Sequence, residues 1–317
     1  MRWPVQMLLV AVIWGASFMF IKVELDDGIA PLHVAWLRCA FGALALLVIL
    51  LARGERLPRD RTLWRHLCIV AVLMNVVPFV CFAYGETEVS SLLAGIFNAT
   101  TPLLTLLFTL AVLPGERPTR ERVAGLLVGF LGVLVVLAPW DGLGRGSLLG
   151  ALACLGAACC YGMGFPYMRR HLADRQESAV AISTAQILLG VLFLLPFVFL
   201  DSLPKDVPGI DSFGSILALG ALGTGVAYIL NFNVIRLAGH QTASTVTYIV
   251  PIFAVIFGVS LLGEPISWHE PVGGLLILAG VTLANGQSRL RFSRRWSSES
   301  VPGIGSTDGE RSSNQRS

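Results

Sequence analysis

Charged residues in this 317-residue chain fall in clusters, and between the clusters lie ten stretches almost free of charge. They run near 3–21, 31–52, 66–85, 89–113, 123–140, 146–168, 178–200, 212–235, 241–263 and 271–288. Each approaches the ~20 apolar residues needed to cross the hydrocarbon of a bilayer. Arg38 is the one charge well inside any of them. Charged residues make up 14% of the chain, against roughly 25% in an ordinary soluble domain. With 55% hydrophobic residues and a mean hydropathy of +0.73, there is too little polar surface to coat a fold in water. An ordinary cytosolic enzyme, a disordered chain and a disulfide-stapled secreted domain are therefore excluded. The expected class is an all-α polytopic membrane protein with ten transmembrane helices. The first stretch reads as a retained helix, because no A-x-A cleavage pattern follows it. The six cysteines all fall inside apolar stretches and read as small buried hydrophobes.

The charges also orient the chain. Segments after spans 1, 3, 5, 7 and 9 hold only Lys22, Arg145 and Lys205. The N-terminus and the segments after spans 2, 4, 6 and 8 hold thirteen Arg, and the tail holds six more. Cytoplasmic loops carry the Lys/Arg excess, so both termini are expected in the cytoplasm. An even number of spans follows, in agreement with the hydropathy. Glu24, Asp26, Asp27, Glu86, Glu264 and Glu270 fall on the outer side. The tail from 288 to 317, rich in Ser, Arg and Gly, is expected to be disordered. The basic residues serve orientation, and no nucleic-acid partner is expected.

The chain matches itself at an offset near 148 residues. Trp14-Gly15-x-x-Phe18-x-x-x-Lys22 meets Tyr161-Gly162-x-x-Phe165-x-x-x-Arg169. Arg38 and Gly42 meet Gln186 and Gly190; Ala94 and Pro102 meet Ala243 and Pro251. Gly115-Glu116 meets Gly263-Glu264, and Gly125 and Gly132 meet Gly273 and Gly280. Ordered matches at a nearly constant spacing indicate duplication. Five spans per unit is odd, so the second unit enters the membrane from the opposite face. Two inverted five-helix repeats, 3–138 and 147–287, are expected. That architecture belongs to secondary transporters, whose substrate site lies near the midplane where the halves meet.

These residues resemble the drug/metabolite transporter superfamily, EamA-type. The Trp14-Gly15 pattern, Pro31 with Arg38, mid-span Pro102 and Pro251 each followed by Gly-Glu, and the run Tyr228 to Gly239 carry the resemblance, which covers roughly 3–287. It implies a central cavity lined by spans 1, 3, 4, 6, 8 and 9. It also implies transport of amino acids or other small metabolites, often outward.

Polar side chains inside a span are costly and mark function or interhelical bonding. The candidates for the cavity wall are Trp14, Asn75, Tyr84, Asn98, Tyr161, Tyr228, Asn231 and Tyr248. Aromatic rings with a few amides suit a small amphipathic solute. Arg38, about 10 Å into span 2 at 1.5 Å per residue, snorkels to the outer interface, makes a structural pair, or binds a substrate carboxylate. Lys22 is expected to pair with Glu24. Pro102 and Pro251 each remove a mid-helix hydrogen bond and are hinge candidates. Glu116 and Glu264 are expected to cap the following helix, and Ser267-Trp-His-Glu270 fits a capping box. Gly125, Gly129, Gly132, Gly273 and Gly280 suit close helix packing, within the chain or in a homodimer.

Several chemistries have no counterpart here. His269-Glu270 lacks the second His of H-E-x-x-H, since Gly273 stands there, and neither a G-x-S-x-G elbow nor a phosphate-binding loop occurs. No catalytic residue, metal or cofactor is expected, and ATP is not the direct energy source. No Asp or Glu lies deep in a span, so a carboxylate relay at the membrane centre is not expected. The expected function is secondary transport of a small metabolite across a bacterial inner membrane by alternating access, with a channel and a membrane-embedded enzyme as the competing classes.

Overall fold

The computed structural model describes residues 2–112, 119–138, 145–172, 175–199, 209–238 and 246–299. Among these the chain is helical throughout, with no strand. The helices are α1 (Trp3–Asp26), α2 (Pro31–Ala52), α3 (Arg61–Gly85), α4 (Ser91–Asn98), α5 (Thr101–Val112), α6 (Arg120–Leu137), α7 (Arg145–Leu172), α8 (Ala179–Val198), α9 (210–238), α10 (Val246–Leu261) and α11 (His269–Glu299). Seven helical stretches are long and apolar enough to cross a membrane, and α10 and the first part of α11 are shorter apolar helices. α6 is apolar beyond the charges Arg120, Glu121 and Arg122 of its first turn.

Helix starts follow local rules. Asp60 accepts from Thr62 N (2.8 Å) at α3, and Ser90, Thr119 and Ser178 cap α4, α6 and α8. Pro sits in the first turn of α1 and α2, where its missing N–H costs nothing. At α11, Ser267 N donates to Glu270 (2.8 Å), one arm of the capping box.

The outside of the bundle is apolar. Leu51 is 72% exposed, Leu127 67% and Leu275 66%. Such a surface fits lipid, not water. α8 lies at the opposite extreme, buried along most of its length.

Two expectations change. Span 4 is interrupted: Ala99 and Thr100 form a turn between α4 and α5. Pro102 thus opens α5 and does not kink a continuous helix. Pro251 lies inside α10 as expected. The segment from 288, expected to be irregular, is helical as far as Glu299, because Arg and other good helix formers extend the apolar turns of α11. The tail beyond Glu299, Glu116, Gly239 and Ala243 lie outside the described residues. Finally, the glycines of α6 and α11 pack on each other. A Cβ on Gly125 would lie 2.5 Å from Gly280 O, and one on Gly132 would lie 2.7 Å from Gly273 O. The small-residue stripe thus serves close packing within the chain.

Candidate functional site

Two helices widen at their middles. In α3 the backbone opens into a π-helical turn over Val72–Val76, and in α9 over Ala218–Val226. Pro78 explains the first: it has no N–H for the carbonyl of Met74, so the ladder shifts by one. Gly220, Gly223 and Gly225 accompany the second. Wide turns free backbone groups and redirect side chains, and both do so here. Gly223 O accepts from Trp14 Nε1 at 3.1 Å. Thr224 Oγ1 accepts from Arg38 Nε at 3.2 Å. Asn75, fully buried, donates to Tyr228 Oη at 2.9 Å and accepts from Gln186 Nε2 at 2.6 Å.

Of these groups, Trp14, Arg38, Gln186 and Tyr228 border a cavity of about 230 Å³. Trp14, Arg38, Asn98, Tyr161, Tyr228 and Asn231 line it, together with Ser17, Phe79, Phe82, Phe165 and Phe232. The Trp14 and Tyr228 rings meet edge-on at 6.4 Å. The wall is mostly aromatic, with a few amides and a single deep guanidinium. Such a lining holds a small solute by apolar contact and orients it by a few polar groups.

Arg38 does not snorkel to the surface. It is 8% exposed, and its guanidinium lies 3.9 Å over the Phe79 ring. Thr224 and the ring face replace the water that a snorkelling Arg would seek. Its terminal amino groups make no hydrogen bond among the described residues, so they are free to grip an anion bidentately.

Asn75 stands behind Tyr228 and does not itself line the cavity. Tyr84 is 42% exposed on the exterior, and Tyr248 packs into the apolar core. Gln186, Thr224 and the phenylalanines were not among the candidate residues. Gln186 and Thr224 are polar groups within spans, which is the signal that marks them; the phenylalanines carry none, since apolar side chains inside a span are unremarkable.

The cavity runs from Trp14 toward the Arg-rich face, where Arg169, Arg175 and Glu177 line its mouth. On that face Arg175 binds Asp60 at 2.8 Å, Ser178 donates to Glu55, and His66 bonds Tyr167 (2.8 Å) and stacks on His171. Toward the acid-rich face the cavity is closed. Glu264 receives Ser91 N (2.7 Å), Ser91 Oγ (3.0 Å) and Leu92 N (3.0 Å). It therefore caps α4 across the bundle and not the helix that follows it. Asp27 accepts from Gly209 N (3.0 Å) and Ser212. Lys22 pairs with Asp26 at 3.1 Å, not with Glu24, and donates to the Glu86 carbonyl at 3.3 Å. Among the described residues, no three His, Cys, Asp or Glu side chains gather as a metal site.

Two exposed aspartates are held below the usual carboxylate range. The Ser212 hydroxyl and Gly209 N–H lower Asp27, and the Thr62 N–H and Arg175 lower Asp60. A lowered folded-state pKa stabilises above the unfolded value of about 3.9 and is lost as pH falls through the folded value. Limited proteolysis near residues 53–60 is therefore expected to stay slow at neutral pH and to accelerate only in strong acid. In Asp60→Asn it is expected to be faster than in the wild type at neutral pH and to lose the acceleration in acid, since Asn copies the protonated form.

The sequence profile of the EamA-like transporter family matches the chain twice, over residues 1–138 and 148–286. Among curated proteins, the "Uncharacterized transporter YoaV" of Bacillus subtilis (strain 168) is 26% identical over 288 residues, 90% of this chain and 96% of that one. The "Uncharacterized inner membrane transporter YedA" of Escherichia coli (strain K12) is 26% identical, covering 87% and 88%. A "Probable terminal-alkyne amino-acid exporter" of Streptantibioticus cattleyicolor is 30% identical, covering 88% and 92%. A solved crystal structure superposes with a TM-score of 0.65 at 20% identity, over 90% of this chain and 98% of that one.

Proposed function

The chain belongs to the EamA-like transporter family, and from that premise we propose that it carries a small carboxylate-bearing metabolite, of the amino-acid kind, outward across the bacterial inner membrane by alternating access. The observation that carries this reading is Arg38. A buried guanidinium with free donors sits in the wall of an aromatic cavity that is sealed toward one face and open toward the other. Its chemistry suits a carboxylate, and the rings suit an apolar side chain. The charge pattern supports placing the Arg-rich mouth in the cytoplasm, and in this reading the cavity opens inward and both termini lie inside. The exporter description of the Streptantibioticus relative supports outward movement of an amino acid.

Two inverted repeats of five spans, 3–138 and 147–287, are the mechanism's scaffold in this reading. The double family match supports it. So does a crossed pattern of contacts: Arg38 on α2 reaches Thr224 in the α9 wide turn, while its sequence counterpart Gln186 on α8 reaches Asn75 in the α3 wide turn. Gly15 abuts α10 at Phe253, and its counterpart Gly162 abuts α5 at Leu104. Exchange of these two half-structures' conformations would open the acid-rich face and close the other.

Counterflow of labelled amino acids in proteoliposomes tests the proposal. Saturable, ATP-independent exchange is expected. Arg38→Gln is expected to raise the apparent KM for carboxylate solutes about tenfold or more, the loss of roughly 1.4 kcal/mol of charge-assisted bonding. Linear, unsaturable flux would identify a channel, and absence of any flux would sink the transport reading.

A further inference from the structure

Two carboxylates at the sealed acid-rich end have no hydrogen-bond partner. Glu24, near the end of α1, and Glu86, just after α3, are both 0% exposed, and none of their four carboxylate oxygens is bonded among the described residues. An ionised carboxylate in that state costs several kcal/mol, so such a group neutralises instead. The nearby cations do not supply the missing bonds. Lys22 spends its ammonium on Asp26 and on the Glu86 backbone carbonyl. Arg38 acts on both carboxylates through space but directs its Nε to Thr224.

Around this pair the other ionisable groups are few. α1 contributes Lys22 and Asp26, with Asp27 following it. α2 contributes Arg38 and, nearer its start, His33, which is buried without partners. α7 presents Cys154, packed beside Gly85. The segment after α10 brings Glu264, whose charge acts repulsively on Glu86, with His269 and Glu270 beyond it at the start of α11. The three acids Glu24, Glu86 and Glu264 thus meet at the seal, and only Glu264 is satisfied, by the α4 N-terminus. That cap places the Glu264 carboxylate on the N-terminal N–H groups of α4. A neighbouring negative charge further disfavours ionisation of Glu86.

We propose that Glu24 and Glu86 form a proton-binding site in the outer gate of the transporter: both carry a proton while the gate is shut and release it to external water when the gate opens. Closing the gate removes the carboxylates from water and takes up a proton onto each from that side. Opening rehydrates them, and they ionise as ordinary glutamates do, near pH 4.3. No metal ion is required, and none of the described side-chain groupings would hold one. The consequence is directional: an alkaline exterior favours the outward-open state, and an acidic exterior favours the state seen here. Asp27, bonded to Ser212 and Gly209 and held below the usual carboxylate range, contributes little to this dependence around neutral pH. The meaning of the word gate rests on the alternating-access reading; the protonation of the two carboxyls does not.

Infrared spectroscopy of the purified full-length protein reads the protons directly, because a carboxylic acid has a C=O stretch that a carboxylate lacks. At pH 7 a deuterium-sensitive acid band is expected, with part of it lost in Glu24→Gln and part in Glu86→Gln. Spin labels on exposed Thr87 and Ile266, on either side of the Glu264–Ser91 contact, report the gate. In the wild type the logarithm of the opening constant is expected to rise by about one to two per pH unit, one for each proton released. In the double Gln variant it is expected to be flat, since Gln copies the protonated form. If the double variant fails to insert, each single variant is expected to halve the slope. An unchanged acid band in both single variants, or an equal slope in all proteins, overturns the proposal. Neither result touches counterflow, whose own failure would remove the transport reading while leaving the acid band in place.

Discussion

Gly125→Leu is expected to abolish recovery of folded protein. Even the first added carbon would lie 2.5 Å from both Gly280 O and Ala284 N. Both are backbone atoms of α11, which cannot rotate aside as a side chain would. Relief requires moving α6 and α11 apart along their whole contact, where Gly132 and Gly273 also meet backbone to backbone. Overpacking in a well-packed interior costs about 1–3 kcal/mol even when side chains absorb it. Here nothing soft is available, so the cost is expected at or above the top of that range. In lipid, where helices associate by close packing and not by exclusion of water, lost contact is not compensated. Size-exclusion chromatography after solubilisation measures it: a monodisperse peak for the wild type, aggregate for the variant. Gly156→Ala is the control, since a Cβ there meets nothing within 4 Å. A monodisperse, equally heat-stable Gly125→Leu protein would mean that α6 and α11 do not pack as described.

Asn75→Leu is expected to slow transport at least tenfold while leaving a protein that still inserts. Asn75 is the middle of a chain from Gln186 to Tyr228 and joins α8, α3 and α9 behind the cavity wall. Leu has a similar volume, so the helices still pack. Two buried partners lose a bond, at about 1–3 kcal/mol each in destabilisation. Tyr228 loses the contact that sets its ring against Trp14. Exchange rates are expected to fall at least tenfold, equivalent to about 1.4 kcal/mol, in the counterflow assay. Asn75→Gln offers the same groups on a longer stem and is expected to restore part of the rate. Full activity in Asn75→Leu would remove the polar chain from the mechanism.

The candidate site was partly legible before any coordinates. Six of the nine cavity candidates border the cavity, because a polar or aromatic side chain inside an apolar span has few stable destinations other than the bundle interior. Tyr84 escaped that logic, since its position near the end of α3 places it within reach of the interface, where Tyr is stable. Arg38 was legible as an anomaly but not in its role. Snorkelling and inward pairing cost similar energies, and the choice between them depends on Thr224 and Phe79, which are remote in sequence. The wide turns of α3 and α9 were not legible at all. Glycine clusters and an in-helix Pro occur in many membrane helices without a π turn, so neither marks one in the sequence; in α9 the released Gly223 carbonyl is taken by Trp14, a residue remote in sequence.

The pattern of apolar stretches and clustered charge was enough to place this chain in a membrane as a helical protein, because hydrocarbon leaves the backbone no other way to satisfy itself. The internal offset was enough to suggest which residues correspond to which. Neither could say which of the acids near the helix ends of the acid-rich face meet water. Glu24, Asp26, Glu86 and Glu264 look alike along the chain. Three-dimensional packing pairs Lys22 with Asp26, gives Glu264 the N-terminus of α4, and leaves Glu24 and Glu86 dry and unpartnered. The cost of burying a charge depends on the few groups within bonding distance, and those come from helices far apart in sequence.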